Sequence, residues 1–376
     1  MPSPSRRRPP TPTAQRRRGP RWPRVLVALG AALIMISGTA IVGSKVLIDR
    51  YTGGVAQDNL LAGAAKAATP GKPLTGPVNM LLLGVDERAR NPGDVRSDTI
   101  MILHVPASHD QAYLVSVPRD TWVDAPPFPR SGFTGGAAKL TDVFHAGAQG
   151  GGGRAGGAQL VALTIKQITG IEFNGAAIID FNGFKNVVDA LGGVDLCVDY
   201  RVKSQHMRMV NGKPMWLADA RQYGGGEEIW HEKGCRHMPG WSALDYSRQR
   251  YGLPNGDYDR QRHQQQLVKA IGKEAMSAGV ISNPAKLDRV ITAAGNAFIL
   301  DTGGVPMADF IFTLKGMAAN DVLLVKTNGG TFNPVATASS EVEGLSAESL
   351  EMFTALKQGH LDQYVIERPE LVSRDG

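Results

Sequence analysis

Two aspartates stand at the borders of neighbouring apolar runs. Asp86 ends NMLLLGVD, and twelve residues later Asp98 follows Arg96 at the head of RSDTIMILHV. A pair of carboxylates brought together at strand ends suits a hard divalent cation. Arginines gather in other segments: Arg119 in VSVPRD, Arg248 and Arg250 in YSRQR, Arg260 and Arg262 in DYDRQRH. The planar guanidinium fork matches phosphate oxygens. An extended SRQR would put Arg248 and Arg250 on one face. Taken singly, each arginine reads as well as a surface ion pair. Taken together with the carboxylates, they describe a site in which a cation and a phosphate sit between the two kinds of charge. Strand ends are where α/β sheets build such sites.

Other chemistries find little support. The chain has no G-x-S-x-G elbow, no H-E-x-x-H and no G-x-x-x-x-G-K-[ST] phosphate loop. The net charge of +6 misleads, because eight arginines lie in the first 24 residues, which hold no acid, and the rest of the chain has 33 basic against 35 acidic residues. The basicity belongs to a short tail, so no nucleic-acid partner is expected for the body. Val25 to Gly43 is an uncharged run of 19 residues, long enough to span a bilayer. The arginines before it predict a cytoplasmic N-terminus and an extracytoplasmic body. On that side of a membrane the two cysteines, Cys197 and Cys235, can oxidise, and a disulfide is the preferred reading. The rival is a metal site in HEKGCRH, with His231, Cys235 and His237, which lacks a second ligand cluster.

The elements that must position these residues alternate along the chain. NMLLLG, DTIMILHV, AYLVSVP, AAIIDF and VDLCVD read as strands. AQLVALTIKQITG reads as a helix closed by Gly170, and NGFKNVVDALGG as a helix with Asn182 at its N-cap and Gly192 past its end. QGGGGRAGG reads as a mobile loop and residues 200 to 243 as irregular. The alternation predicts an α/β sandwich.

In the order NMLLLGVDER, RSDTIMILHV, VSVPRDTWV, AKLTDVF, IDFNGFKNVVDALGGVDLCVD, ALDYSRQR and DYDRQRHQQQ, residues 78 to 270 resemble the LytR-CpsA-Psr cell-wall ligases of bacteria. The resemblance implies a three-layer α/β/α sandwich around a mixed central sheet, with an N-terminal transmembrane helix. Its boundaries are a tail at 1–24, a membrane helix at 25–48, a tether at 49–77, a catalytic domain at 78–330 and a C-terminal extension at 331–376. It implies a phosphotransferase that moves a glycopolymer from a polyprenyl-pyrophosphate carrier to a hydroxyl of peptidoglycan or a related wall glycan. The lipid would enter a hydrophobic tunnel beneath the sheet. Matched position by position, Asp86 and Asp98 would hold Mg²⁺. Asp98, Arg119, Arg248 and Arg250 would be catalytic, and Arg88, Arg96, Lys139, Arg260, Arg262 and Gln264 would bind substrate. His263 stands where the family usually has arginine, and Thr141 where it usually has asparagine. Asp98 and Asp120 are the candidate general bases. The same residues would serve a polyprenyl-pyrophosphate hydrolase, or a non-catalytic regulator that binds lipid-linked glycan.

Overall fold

The chain divides into two units, Met1–Leu47 and Ile48–Gly376. The computed structural model describes residues 56–66, 76–87, 94–277, 279–280, 283–305, 322–336 and 342–373, all of them in the second unit. The expected tail and membrane helix, and Arg88, lie outside the described residues. No helix among the described residues is long and apolar enough to cross a membrane.

A seven-stranded mixed sheet organises the protein. Its strands are β1 (Ala56–Gln57), β2 (Val78–Glu87), β3 (Val95–Val105), β4 (Ala112–Ser116), β7 (Gly175–Asp180), β13 (Phe298–Asp301) and β14 (Val322–Val325), in the order β1-β13-β7-β2-β3-β4-β14. The long central pair β2 and β3 is antiparallel, whereas β2 and β7 run parallel. Period-two alternation divides β2 between two cores. Leu81, Leu83 and Val85 join the main core, packing with residues of α1 (Leu140–Ala148), α2 (Gly153–Thr169) and α7 (Ala347–Gln358). Met80 and Leu82 belong to the opposite face, where Met101, Leu114 and Leu324 meet Val268 of α5 (Asp257–Ser277). Residues of the 331–376 segment share the main core: Met352, Phe353, Leu356 and Leu361 are all buried there.

The glycine run expected to be mobile is partly helical. Helix α2 begins at Gly153, and Gly156 and Gly157 are buried. A Cβ on Gly157 would lie 2.7 Å from the Phe144 ring, and one on Gly156 would lie 2.5 Å from the Gly147 carbonyl oxygen. The glycines therefore serve the close approach of α1 and α2 rather than flexibility. The segment read as irregular is also ordered. It holds β9 (Val202–Val210), β10 (Lys213–Trp216) and β11 (Glu227–His231) in one small sheet, while β8 (Val194–Val198) pairs with β12 (Gly234–Met238) in another, and β5 (Trp122–Ala125) with β6 (Gly136–Lys139) in a third. Helix α3 (Phe181–Leu191) is capped by Asp180, whose carboxylate accepts from the Gly183 N–H at 2.9 Å, and not by Asn182.

Cys197 and Cys235 face each other across the β8–β12 pair and are joined as a disulfide. The two histidines of the rival metal reading are engaged elsewhere. His231 is buried against Asp245 at 2.7 Å, and His237 contacts Asp195 at 2.8 Å.

Helix α5 carries three of the predicted site residues, Arg260, Arg262 and Gln264, and a buried charge cluster holds it against β8. The Asp199 carboxylate, just past β8, accepts from Tyr246 Oη at 3.0 Å and lies 3.1 Å from His263 Nε2, while Arg262 pairs with both Asp199 and Asp259. His263 is fully buried and stacks on Tyr246 with ring centroids 4.3 Å apart.

Two tests follow from this scaffold. The disulfide closes a separation of 38 residues. A Cys197→Ala/Cys235→Ala variant should be less stable by about 3 to 4 kcal/mol on the chain-entropy account, as read by denaturant unfolding. The second test concerns Asp199. Burial raises its pKa, but His263 and Arg262 outweigh this and hold the carboxyl well below its usual range. Its folded pKa is thus depressed, so its stabilisation is present above about pH 4, the unfolded value, and is lost as pH falls further. Asp199→Asn should cost about 1.5 to 3 kcal/mol near pH 7. It should also flatten the loss of melting temperature between about pH 4 and pH 2, where an unchanged slope would remove this account.

Candidate functional site

The site is built at one end of the β2–β3 pair. Gly84 pairs with Thr99 and Val85 with Ser97, so Asp98 is an extra residue in β3 with no partner in β2. This is a bulge, which re-aims the side chains around it. Glycine is required opposite it, because a Cβ on Gly84 would fall 2.8 Å from Thr99 Cβ. Asp86 lies directly opposite Arg96 in the same ladder.

A cavity of about 300 Å³ opens there, lined by Asp86, Asp94, Arg96, Asp98, Arg119, Asp120, Lys139, Thr141 and Asp142. Asp98 is bonded by Arg119, whose Nε also lies 3.6 Å from Asp120 and 4.0 Å from Asp257. Lys139 contacts Asp120 at 3.3 Å. It stands at the N-cap of α1, whose positive dipole end faces the cavity beside it. From the facing helix, Arg260 donates to the Asp98 carbonyl oxygen at 3.3 Å and pairs with Asp257 at 2.9 Å. Arg248 approaches Asp86 at 3.5 Å, its guanidinium 3.8 Å from the Phe181 ring centroid and 5.3 Å from that of Trp216.

The electrostatics favour bound anions and ionised carboxylates. Burial raises the Asp98 pKa, but Arg119, Arg260 and Arg248 together lower it below the ordinary value. Burial opposes the charge on Arg248 and Arg260. Their desolvation would be relieved by an anionic ligand. Among the described residues, Arg119 Nε, Arg260 Nε and Thr141 Oγ are buried without a hydrogen-bond partner. Such orphan donors in one place ask for an acceptor-rich group. Thr141, a departure from the family pattern, therefore still presents a donor to the cavity.

The predicted residues divide as follows. Asp86, Arg96, Asp98, Arg119 and Lys139 share the cavity, and Arg248 and Arg260 close on it. The segment SRQR is not extended. It follows α4 (Gly240–Ser247), and Arg248 is the helix C-cap in right-handed helical conformation. Arg250 donates to Tyr251 Oη at 2.6 Å and stacks on that exposed ring. Arg262, expected to bind substrate, turns away from the cavity to Asp199 and Asp259. Gln264 is buried, with its Oε1 unpartnered among the described residues. It lies one turn from Arg260 and one turn from Val268, on the same side of α5.

Sequence reasoning passed over Asp94, Asp142 and the stacking rings Phe181 and Trp216. Arg96 contacts Asp94 at 3.2 Å and also pairs with Asp142, in the first turn of α1. It also passed over Glu343, which joins the two halves of the site. The Glu343 carboxylate accepts from Tyr258 in α5, and its backbone N–H donates to the Asp120 carbonyl oxygen at 3.2 Å. No motif marks that residue, because the groups it joins across the site, Tyr258 and Asp120, lie 85 or more positions away.

A second, apolar chamber of about 280 Å³ lies between the sheet and helices α3, α5 and α6 (Pro284–Ala294). Leu82, Gly84, Thr99, Met101, Val268 and Ile271 contribute to its walls. Leu82, Gly84 and Asp86 alternate onto one face of β2. Thr99 lines the chamber and its neighbour Asp98 lines the charged cavity. One strand pair thus carries an apolar wall directly into a cluster of charges.

The sequence profile of the LytR_cpsA_psr family matches residues 46–358. The cell wall biosynthesis protein LcpA of Corynebacterium glutamicum is 26% identical over 364 residues, which cover 87% of this chain and 62% of that protein. The polyisoprenyl-teichoic acid–peptidoglycan teichoic acid transferase TagU of Bacillus cereus is 30% identical over 198 residues, covering 53% of this chain and 52% of that one. The chain thus spans between about half and two thirds of the length of these curated relatives. Among solved structures, TagV of B. subtilis superposes with a TM-score of 0.55 at 21% identity, covering 77% of this chain and 98% of TagV. TagT bound to LI-WTA superposes at 0.54 and 20% identity, covering 81% and 98%. The fold of these structures is shared, and with the profile match over most of its length the chain belongs to the LytR-CpsA-Psr family.

Proposed function

We propose that this protein is a membrane-anchored phosphotransferase that moves a glycopolymer from a polyprenyl-pyrophosphate carrier to a hydroxyl of a wall glycan such as peptidoglycan. The observation that carries the reading is the junction of an apolar chamber with a charged cavity on one strand pair. A substrate with a long apolar tail and a diphosphate head has that same division. In this reading the uncharged run at 25–43 anchors the chain, with the catalytic unit outside the membrane. The names of LcpA and TagU, which speak of cell wall biosynthesis and of teichoic acid transfer, agree with it.

The cavity suits a magnesium ion. Its lining has five carboxylates against three basic side chains, all hard oxygen donors on the acidic side. Among the described residues no three such groups converge as a closed ligand set. Mg²⁺ commonly takes only one or two carboxylates and completes its shell with phosphate oxygens and water. Asp86 and Asp98 would hold the ion, and when bound it would neutralise charge on the diphosphate.

The protein's own residues account for the rest. The acceptor oxygen forms a bond to the phosphorus that bears the glycan. The bond from that phosphorus to the bridging oxygen breaks, polyprenyl phosphate leaves with the electron pair, and the acceptor hydroxyl gives its proton to a phosphate oxygen of that leaving group. Arg119 and Arg260 meet the charge that grows on these oxygens, their orphan Nε–H groups already free to donate. Arg248 is held rigid by its stacking and fixes the head group beside Asp86. Asp98 is kept ionised by three arginines and is therefore a weak proton acceptor. Phosphoryl transfer through a loose transition state depends more on this positioning than on a strong base.

The deciding experiment incubates the full chain in detergent with a polyprenyl-pyrophosphate sugar, Mg²⁺ and a peptidoglycan fragment, and identifies products by mass. The expected product is acceptor joined to sugar phosphate. Sugar phosphate appearing with or without acceptor, and never attached to it, would make the protein a hydrolase. Asp86→Asn and Asp98→Asn keep side-chain size and should each lower transfer by about a hundredfold or more, the scale of a lost electrostatic contact. Near wild-type turnover in either would remove the metal assignment. Ala177, buried in the chamber wall, supplies a separate check. Ala177→Phe should raise KM for a long polyprenyl donor by about tenfold, as one or two methylenes' worth of lost burial would. A donor with a short prenyl chain should be unaffected, and equal losses for both would place the lipid elsewhere.

A further inference from the structure

A third cavity, of about 310 Å³, lies on the other side of α5 from the charged site. The helix separates them: Arg260 faces Asp98, whereas Tyr258, Arg262 and Gln265 line this cavity. Nothing in the transfer chemistry uses it. Its lining is polar, with hydroxyl, amide and aromatic groups rather than aliphatic ones.

Three features mark it as built for a ligand. The first is Ser116, at the end of β4. It is 3% exposed, and among the described residues its Oγ has no hydrogen-bond partner. Ser116 shares a strand face with Leu114, which packs toward α5, so its hydroxyl points to the cavity side of the sheet. A buried hydroxyl left unpaired is costly, and a ligand oxygen would satisfy it.

The second feature is the turn Asn328–Gly330, whose residues take φ values of 53°, 60° and 78°. Asparagine is strained there. The Asn328 side chain is fully used in holding the turn: it donates to Tyr258 Oη at 3.0 Å and the Gly344 carbonyl at 2.9 Å, and accepts from the Ser346 N–H at 2.8 Å. The turn is thereby fixed, with Gly329, Gly330 and Thr331 forming one wall.

The third feature is charge. Arg262 is committed to Asp199 and Asp259. Lys326 also lines the cavity and makes no ion pair among the described residues; its side chain lies along Gly330, where a Cβ would fall 2.8 Å from Lys326 Cδ. At the rim stands Tyr200, 46% exposed, a ring of the kind that stacks on sugar faces.

We propose that this cavity binds an acidic saccharide: a hexose-sized unit whose hydroxyls meet Ser116 and Thr331, whose ring stacks on Tyr200 and whose anionic group pairs with Lys326. The role in the reaction rests on the transfer reading. A glycan held here, one helix diameter of about 10 Å from the charged cavity, is placed as the acceptor strand. Binding itself does not depend on that reading.

The test is calorimetric titration of the full chain in detergent micelles with glucuronate, glucose and acetate. Glucuronate should saturate with Kd below about 10 mM and bind at least tenfold more tightly than glucose or acetate, since only it offers both ring and charge. Lys326→Gln should bring glucuronate to the level of glucose, and Ser116→Ala should weaken it by about fivefold, the scale of one neutral hydrogen bond. Asp86→Asn should leave glucuronate binding within twofold, which separates this site from the failure or success of the transfer reading. No saturable binding, equal binding of acetate, or an unchanged affinity in Lys326→Gln would each overturn the assignment.

Discussion

Everything in this molecule's chemistry hangs on how β2 and β3 pair. Their ladder is regular from Val78 to Gly84 and then slips by one residue, leaving Asp98 without a partner. Only glycine at position 84 allows Thr99 to come so close. Thr99 lines the apolar chamber, and its neighbour Asp98, released from the ladder by the slip, lines the charged cavity. A regular ladder would have set Asp98 opposite Val85, whose side chain is buried in the main core.

Around that bulge the protein spends its burial on holding charges apart from water while keeping each partly unsatisfied. Arg119 bridges Asp98, Asp120 and Asp257, and Arg260 reaches Asp257 and the Asp98 backbone. Yet the Nε of each arginine is left over among the described residues. A purely structural network would close on itself, because a half-satisfied one is less stable than an apolar core. The Asp199 cluster shows the contrast. Arg262, His263 and Tyr246 all converge on one carboxylate, and the result fixes α5 in place. Glu343 extends the same logic from the C-terminal segment, tying the Asp120 loop to the first turn of α5.

Much of the site was legible because strand ends and charge types are local properties. Asp86, Arg96, Asp98, Arg119 and Lys139 each flank an apolar run, and the fold gathers them into one cavity. The misread segments share a different cause. The glycines of α2 looked like flexibility, but they answer to Phe144 and Gly147 on another helix. Arg248 looked like part of a strand, but it caps α4, and Phe181 and Trp216 decide its direction. Arg262 was expected to bind substrate together with Arg260, but residues two apart on a helix point about 200° apart, which sends it to Asp199.

The amino-acid sequence by itself determined the alternation of strands and helices, the helix ends at Gly170 and Gly192, and the kinds of charge available for chemistry. These follow from periodicity, from glycine's tolerance of positive φ and from residue type, which act within a few positions. Only the tertiary structure decided which arginines face the carboxylates, that a bulge rather than a regular ladder presents Asp98, and that Asn328 and Glu343 brace the site from far along the chain. Those choices depend on contacts between segments tens to hundreds of residues apart. Their energies come from burial and close packing, which exist only once the elements have met.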